Sequence, residues 1–126
     1  MTTPELLSLV LALRPQAASP AARPIPVWWG GAAHRLALAA LQQVDPALAA
    51  QAHDQPGARP FSASSLLGRM RERRPDPAVT YALRLTGLTG PVSTALLQST
   101  RPGGLLAAGQ ALELDYLPFR VEAVHT

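Results

Sequence analysis

His34, His53 and Arg59 are the residues of this chain best equipped to do chemistry. An imidazole moves protons near neutral pH. A guanidinium holds a phosphate through paired N–H donors. Together they point to RNA cleavage, provided the fold brings them to one surface. Each also has a plainer reading. His34 reads equally as a half-buried, hydrogen-bonded histidine at a helix edge. His53 reads as a last-turn residue favoured by the helix dipole, and Arg59 as the start of a strand. His125, one residue from the end, reads as surface.

A second set of candidates is cationic. Arg69, Arg71, Arg73 and Arg74 crowd one charged loop, partly offset by Glu72. Such a cluster is either a solvated hairpin tip or a phosphate clamp giving salt-dependent, sequence-tolerant affinity. Arg84 alternates against Val79 and Tyr81, so it faces away from them toward RNA or a second domain. Trp28 and Trp29 either stack on bases or plug the mouth of the core. Nothing in the spacing of carboxylates and histidines suggests a metal site, and phosphate-loop and dinucleotide fingerprints are absent.

These residues must be carried by regular elements. Leu6 to Leu13 is apolar on both alternating faces, as expected of a central strand covered on both sides, with a short buried helix as the competing reading. Pro15, Pro20, Pro24 and Pro26 then mark a linker. A helix is expected from about Ala32 to Val44, with Ala33, Leu36, Ala37, Ala40, Leu41 and Val44 as its buried stripe and His34 at the stripe's edge. Asp45-Pro46 caps a short second helix ending near His53-Asp54, and Gln55-Pro56-Gly57 is a turn. Pro60 to Leu67 is expected as a strand, Gly68 to Pro77 as the charged loop, and Ala78 to Leu85 as a strand. Thr89-Gly90-Pro91 opens a helix through about Ser99. The tail reads as strand: Leu112, Leu114 and Tyr116, then Phe119, Val121 and Ala123, with a kink or bulge at Pro118. The order is that of an α+β, ferredoxin-like β-α-β-β-α-β unit with an extra short helix after the first.

Composition bounds the rest. The 126 residues suit one domain with a real core. There is no cysteine, hence no disulfide framework and no thiolate metal site. No apolar run reaches the ~18 residues of a membrane span. The start, Met1-Thr2-Thr3-Pro4-Glu5, lacks a signal-peptide pattern, so a cytoplasmic protein is expected. The net charge is +3 and the pI about 10.6. All eleven cations are arginine, which suits an RNA surface. The abundance of Ala, Pro, Arg and Gly equally reflects GC-rich coding.

The ordered motifs resemble the N-terminal half of the CRISPR repeat-processing endoribonucleases of the RAMP superfamily. The matching pieces are Leu6–Leu13, the glycine-led helix with His34, Asp45-Pro46-Ala47-Leu48-Ala49 through His53, Arg59-Pro60-Phe61-Ser62-Ala63-Ser64-Ser65-Leu66, and Tyr81-Ala82-Leu83-Arg84-Leu85-Thr86. The resemblance implies a metal-independent endoribonuclease without cofactors. It would cut precursor RNA within CRISPR repeats by 2′-hydroxyl attack, leaving a 2′,3′-cyclic phosphate and a 5′-hydroxyl. By match of motif, His53 and Arg59 correspond to a histidine and a basic residue that act catalytically in some members, and His34 to a first-helix position used by others. A catalytic tyrosine that some members carry on the first helix has no counterpart here. Members usually have a second ferredoxin-like half ending in a glycine-rich loop, and this chain stops at Thr126 without it. The partners implied are CRISPR repeat RNA and either a C-terminal half or other CRISPR effector subunits. Two alternatives remain open at this point. One is a noncatalytic RAMP subunit holding guide RNA. The other is a ferredoxin-like module that self-associates as a homodimer through an open sheet face.

Overall fold

A computed structural model describes residues 5–16, 29–54 and 59–126. Most of the proline-rich linker, Trp28 and the Gln55–Gly57 turn lie outside those residues.

Strand β1 (Leu7–Pro15) buries Leu7, Leu9, Leu11 and Leu13 on one face. Burying each leucine contributes about 1.5–3 kcal/mol, so this strand is the spine of the core. Its other face carries exposed Ser8 and Arg14 and half-buried Val10 and Ala12. Among the described residues the helices therefore cover one side only, as the ferredoxin-like order implies, and the second cover suggested by the apolar run of β1 is not there. The apolar run misleads because alternation alone does not say what packs on its second face, where Leu6 and Ser8 are exposed and Val10 and Ala12 half-buried.

Helix α1 (Gly30–Val44) lays Ala33, Leu36, Ala37, Ala40 and Leu41 against that core. It stops at Asp45, whose backbone is extended (φ −152°), because a residue before proline is crowded out of the helical region. Asp45 then caps helix α2 (Pro46–Asp54), its Oδ1 accepting the Leu48 N–H at 3.2 Å. Strand β2 (Phe61–Ala63) is shorter than the expected Pro60–Leu67. The Ser64 hydroxyl oxygen accepts the Arg84 N–H at 2.9 Å, a side chain competing with the regular ladder. The chain rejoins the sheet only at a Leu67–Ala82 bridge.

Strand β3 (Tyr81–Gly87) buries Tyr81, Leu83 and Leu85 and turns Ala82, Arg84 and Thr86 to the other face. Helix α3 (Gly90–Ser99) has Pro91 in its first turn and buries Val92, Ala95, Leu96 and Ser99. The tail forms two strands, β4 (Ala111–Leu114) and β5 (Leu117–His125). Tyr116 is not in a strand as expected. Asp115 (φ 48°) and Tyr116 (φ 69°) make a two-residue turn between them, and Tyr116 is 75% exposed. Pro118 sits within β5 opposite Glu113. The irregularity lies further along, where the β1–β5 register shifts between Ala12 and Leu13 and Glu122 becomes the extra residue.

All pairings are antiparallel, in the order β2-β3-β1-β5-β4. Omitting the added β4 edge, this is a ferredoxin-like sheet with the helices on one face. Trp29 packs edge-on against Phe119, ring centroids 6.3 Å apart, closing the core beside the start of α1. No helix among the described residues is long and apolar enough to cross a membrane.

Candidate active site

The N-terminal half of α1, the end of α2 and the start of β2 meet at one corner, and His34, His53 and Arg59 stand there. His34 lies one turn into α1, half-buried at the edge of its apolar stripe. Its ring stacks on Phe61, with centroids 4.8 Å apart and planes 30° from parallel. Phe61 is itself buried, leading β2 into the core. The stack ties the first turns of α1 to the first residue of β2.

His53 occupies the last turn of α2, exposed to solvent. It lines a groove of about 400 Å3 between the two helices, with Leu38, Ala39 and Gln42 on the α1 wall and Ala49 and Ala50 on the other. The alanines keep the helices close while leaving the groove open. Arg59 is half-buried just ahead of β2. Its Nη1 donates to the carbonyl oxygens of Ala52 at 3.1 Å and His53 at 2.9 Å. The last carbonyls of a helix lack partners within the helix, and a guanidinium there answers both the orphan acceptors and the negative end of the dipole. Arg59 thus ties the backbone of His53 to the start of β2.

The electrostatics follow from this crowding. Burial first, then the Arg59 guanidinium, the His53 imidazole and the Arg35 guanidinium, hold the pKa of His34 below its usual 6.5. Each of these opposes a positive charge on the ring, so His34 favours its neutral, proton-accepting form. Arg35 is itself turned toward the β4–β5 turn by an ion pair with Asp115.

The remaining candidates lie elsewhere. Arg69, Arg71, Arg73 and Arg74 follow Leu67 in the β2–β3 connection, the first three exposed and Arg74 half-buried. Arg71 and Arg74 exchange backbone hydrogen bonds of 2.8 and 2.9 Å around a turn in which Glu72 (φ 53°) and Arg73 (φ 66°) are left-handed. The loop is anchored by Tyr81, buried, whose hydroxyl donates to the Arg69 carbonyl and accepts the Asp76 N–H, both at 2.7 Å. Gly68 makes this possible, since a Cβ there would lie 2.3 Å from Cδ1 of the Tyr81 ring. Arg84 projects from the open face of the sheet, away from the helix layer and its histidines. Exposed His125 pairs with Val10 on that same open face. Among the described residues no group of three or more His, Asp or Glu is placed to hold a metal ion.

Sequence reasoning missed the part played by Phe61. Its alternation marks a core residue, and nothing in the spacing links positions 34 and 61. The only available hint was its place directly after Arg59-Pro60.

No family model and no curated protein matches the chain. Among solved structures it is similar to a Cas6 (TTHB231) product complex, with 28% identity and a TM-score of 0.58, covering 95% of this chain and 39% of that one. It is similar also to a Cas6 (TTHA0078) product complex, with 22% identity and a TM-score of 0.63 over the same shares. The chain thus spans about two fifths of the length of the proteins it matches, which fits an N-terminal Cas6-like half.

Proposed function

We propose that this chain is the site-bearing half of a CRISPR RNA-processing endoribonuclease, cutting precursor RNA within its repeats in the cytoplasm. The observation that carries the reading is the meeting of His34, His53 and Arg59 at one accessible corner of a chain that matches Cas6 product complexes along 95% of its length.

In the proposed reaction the 2′-oxygen attacks the adjacent phosphorus and the bond to the 5′-oxygen breaks. His34, biased toward its neutral form, takes the 2′-hydroxyl proton. His53 delivers a proton to the departing 5′-oxygen. Arg59 faces the charge that builds on phosphorus without losing its own proton. The products are a 2′,3′-cyclic phosphate and a 5′-hydroxyl. Solvent then returns each imidazole to its starting state, and no metal takes part. Arg69, Arg71, Arg73 and Arg74 hold the RNA backbone from the β2–β3 connection. Arg84, on the open sheet face, serves RNA or a second half at a distance from the cut.

The test is cleavage of a CRISPR repeat RNA in EDTA by the chain, alone and with a Cas6-type C-terminal half supplied. His53→Ala and His34→Ala should each lower the rate about 10²–10⁴-fold. A requirement for metal, or full activity in both variants, removes the mechanism. RNA binding with no cleavage by any form would instead favour a noncatalytic RNA-holding subunit.

A further inference from the structure

We propose that Phe61 is a positioning residue for His34, fixing the plane of its imidazole by ring stacking. The inference rests on the reading of His34 as a site residue, but its physical content is separable from that reading.

Three observations carry it. The two rings lie 4.8 Å apart by centroid and within 30° of parallel, a stacked arrangement rather than a chance edge contact. Phe61 is 4% exposed and leads a strand paired to Gly87 of β3, so its ring is a fixed surface. His34 has no described hydrogen bond to hold either ring nitrogen, so packing is what orients it. Terminal χ2 rotation of a histidine is broad when nothing constrains it. A flat aromatic surface removes that freedom and leaves the ring edge, where both nitrogens sit, free to meet a substrate.

Phe61 also follows Arg59 by two residues. One short segment therefore braces both sides of the corner: Arg59 through the backbone carbonyls that end α2, Phe61 through the ring of His34 on α1.

The first measurement needs no substitution. An imidazole over the face of a phenyl ring has its carbon-bound protons shifted upfield in the proton NMR spectrum. The wild-type chain should show this for Hε1 or Hδ2 of His34, assigned by their disappearance in His34→Gln. Phe61→Leu, which keeps an apolar side chain, should abolish the shift, and Phe61→Tyr should restore it. In cleavage, Phe61→Leu should lower kcat roughly 10- to 100-fold with KM unchanged, since a small misplacement costs that much, and Phe61→Tyr should recover it. A wild-type His34 resonance without the upfield shift overturns the proposal, as does a shift that survives in Phe61→Leu. Loss of the shift in Phe61→Leu with unaltered cleavage overturns the positioning role where His34→Ala is impaired; full cleavage by His34→Ala instead removes His34 from the reaction and leaves the stacking untouched, so the two readings fail separately.

Discussion

Two basic regions flank the same short strand, and they are organised in opposite ways. Ahead of β2, Arg59 is tied to two carbonyls and His34 lies flat on Phe61. Beyond it, Arg69, Arg71 and Arg73 stand in solvent on a tight turn whose backbone, not side chains, is fixed. The first region holds side chains at set positions, as proton transfer requires. The second holds charge near a surface, as attraction of a polyanion requires, and such attraction tolerates mobile side chains. The difference separates turnover from affinity. It predicts that substitutions in the two regions fail in different assays.

The largest expected effect is on the corner. His53→Ala and His34→Ala should lose about 10²–10⁴-fold in cleavage rate while their RNA affinity at low salt stays within about twofold. Equal losses of binding and cleavage would erase the distinction. A smaller effect belongs to the anchor of the arginine loop. Tyr81→Phe removes a buried hydroxyl that both donates and accepts, leaving the Arg69 carbonyl and the Asp76 N–H unpaired at a cost of about 1–3 kcal/mol. Denaturant unfolding should show that cost. RNA affinity should fall with it, because the loop that presents the arginines loosens, while kcat at saturating RNA is retained. Smaller still is the loss of single charges. Arg71→Ala and Arg73→Ala should each lower the slope of log affinity against log salt by about 0.7–0.9 for every phosphate the arginine neutralises, with kcat unchanged. Glu72 and Arg73 hold left-handed backbone, which costs about 1–2 kcal/mol per residue. An asparagine-glycine pair would avoid that strain, so the salt slopes also ask whether charge at the tip is what the strain supports.

How far the sequence alone reaches differs between these regions for a physical reason. The ferredoxin-like order was readable because each element carries its own periodicity: Leu7, Leu9, Leu11 and Leu13 alternate, and Ala33, Leu36, Ala37, Ala40 and Leu41 recur at helical steps. Asp45-Pro46 marked a helix boundary because its chemistry is local. What failed to show was any effect of one element on another. The open face of β1 depends on what packs against it, and the run from Leu6 to Leu13 says nothing of that. The shortened β2 follows from a serine hydroxyl reaching a different strand. The Asp115-Tyr116 turn breaks an alternation that continues smoothly in composition. The same limit applies to the site. The sequence names His34, His53 and Arg59, but the stacking of residue 34 on residue 61 and the Arg59 clamp are tertiary facts.

The comparison is sharpest, though its effect is smallest, in the response to pH. Burial and the neighbouring Arg59, His53 and Arg35 hold His34 below a pKa of 6.5, so the folded chain binds fewer protons at this ring than the unfolded chain does. Stability must then rise with pH across the window from the folded pKa up to 6.5. The contribution is fully present above 6.5 and is lost as pH falls through that window. Glu122 behaves alike in a lower window. Hydrogen bonds from Arg14 and Thr80 hold its carboxyl below 4.5, so its contribution begins to be lost only as pH drops past that value. Thermal melts from pH 8 to 3 should therefore show a downward slope below 6.5 that flattens in His34→Gln, while Glu122→Gln flattens only the further slope below 4.5. The positive charge of the arginine loop comes from guanidinium groups, which stay charged. RNA affinity supplied by that loop should accordingly hold level from pH 8 to 7 while remaining steeply dependent on salt. A slope that persists in His34→Gln would mean that the corner is not set by the crowding around that imidazole.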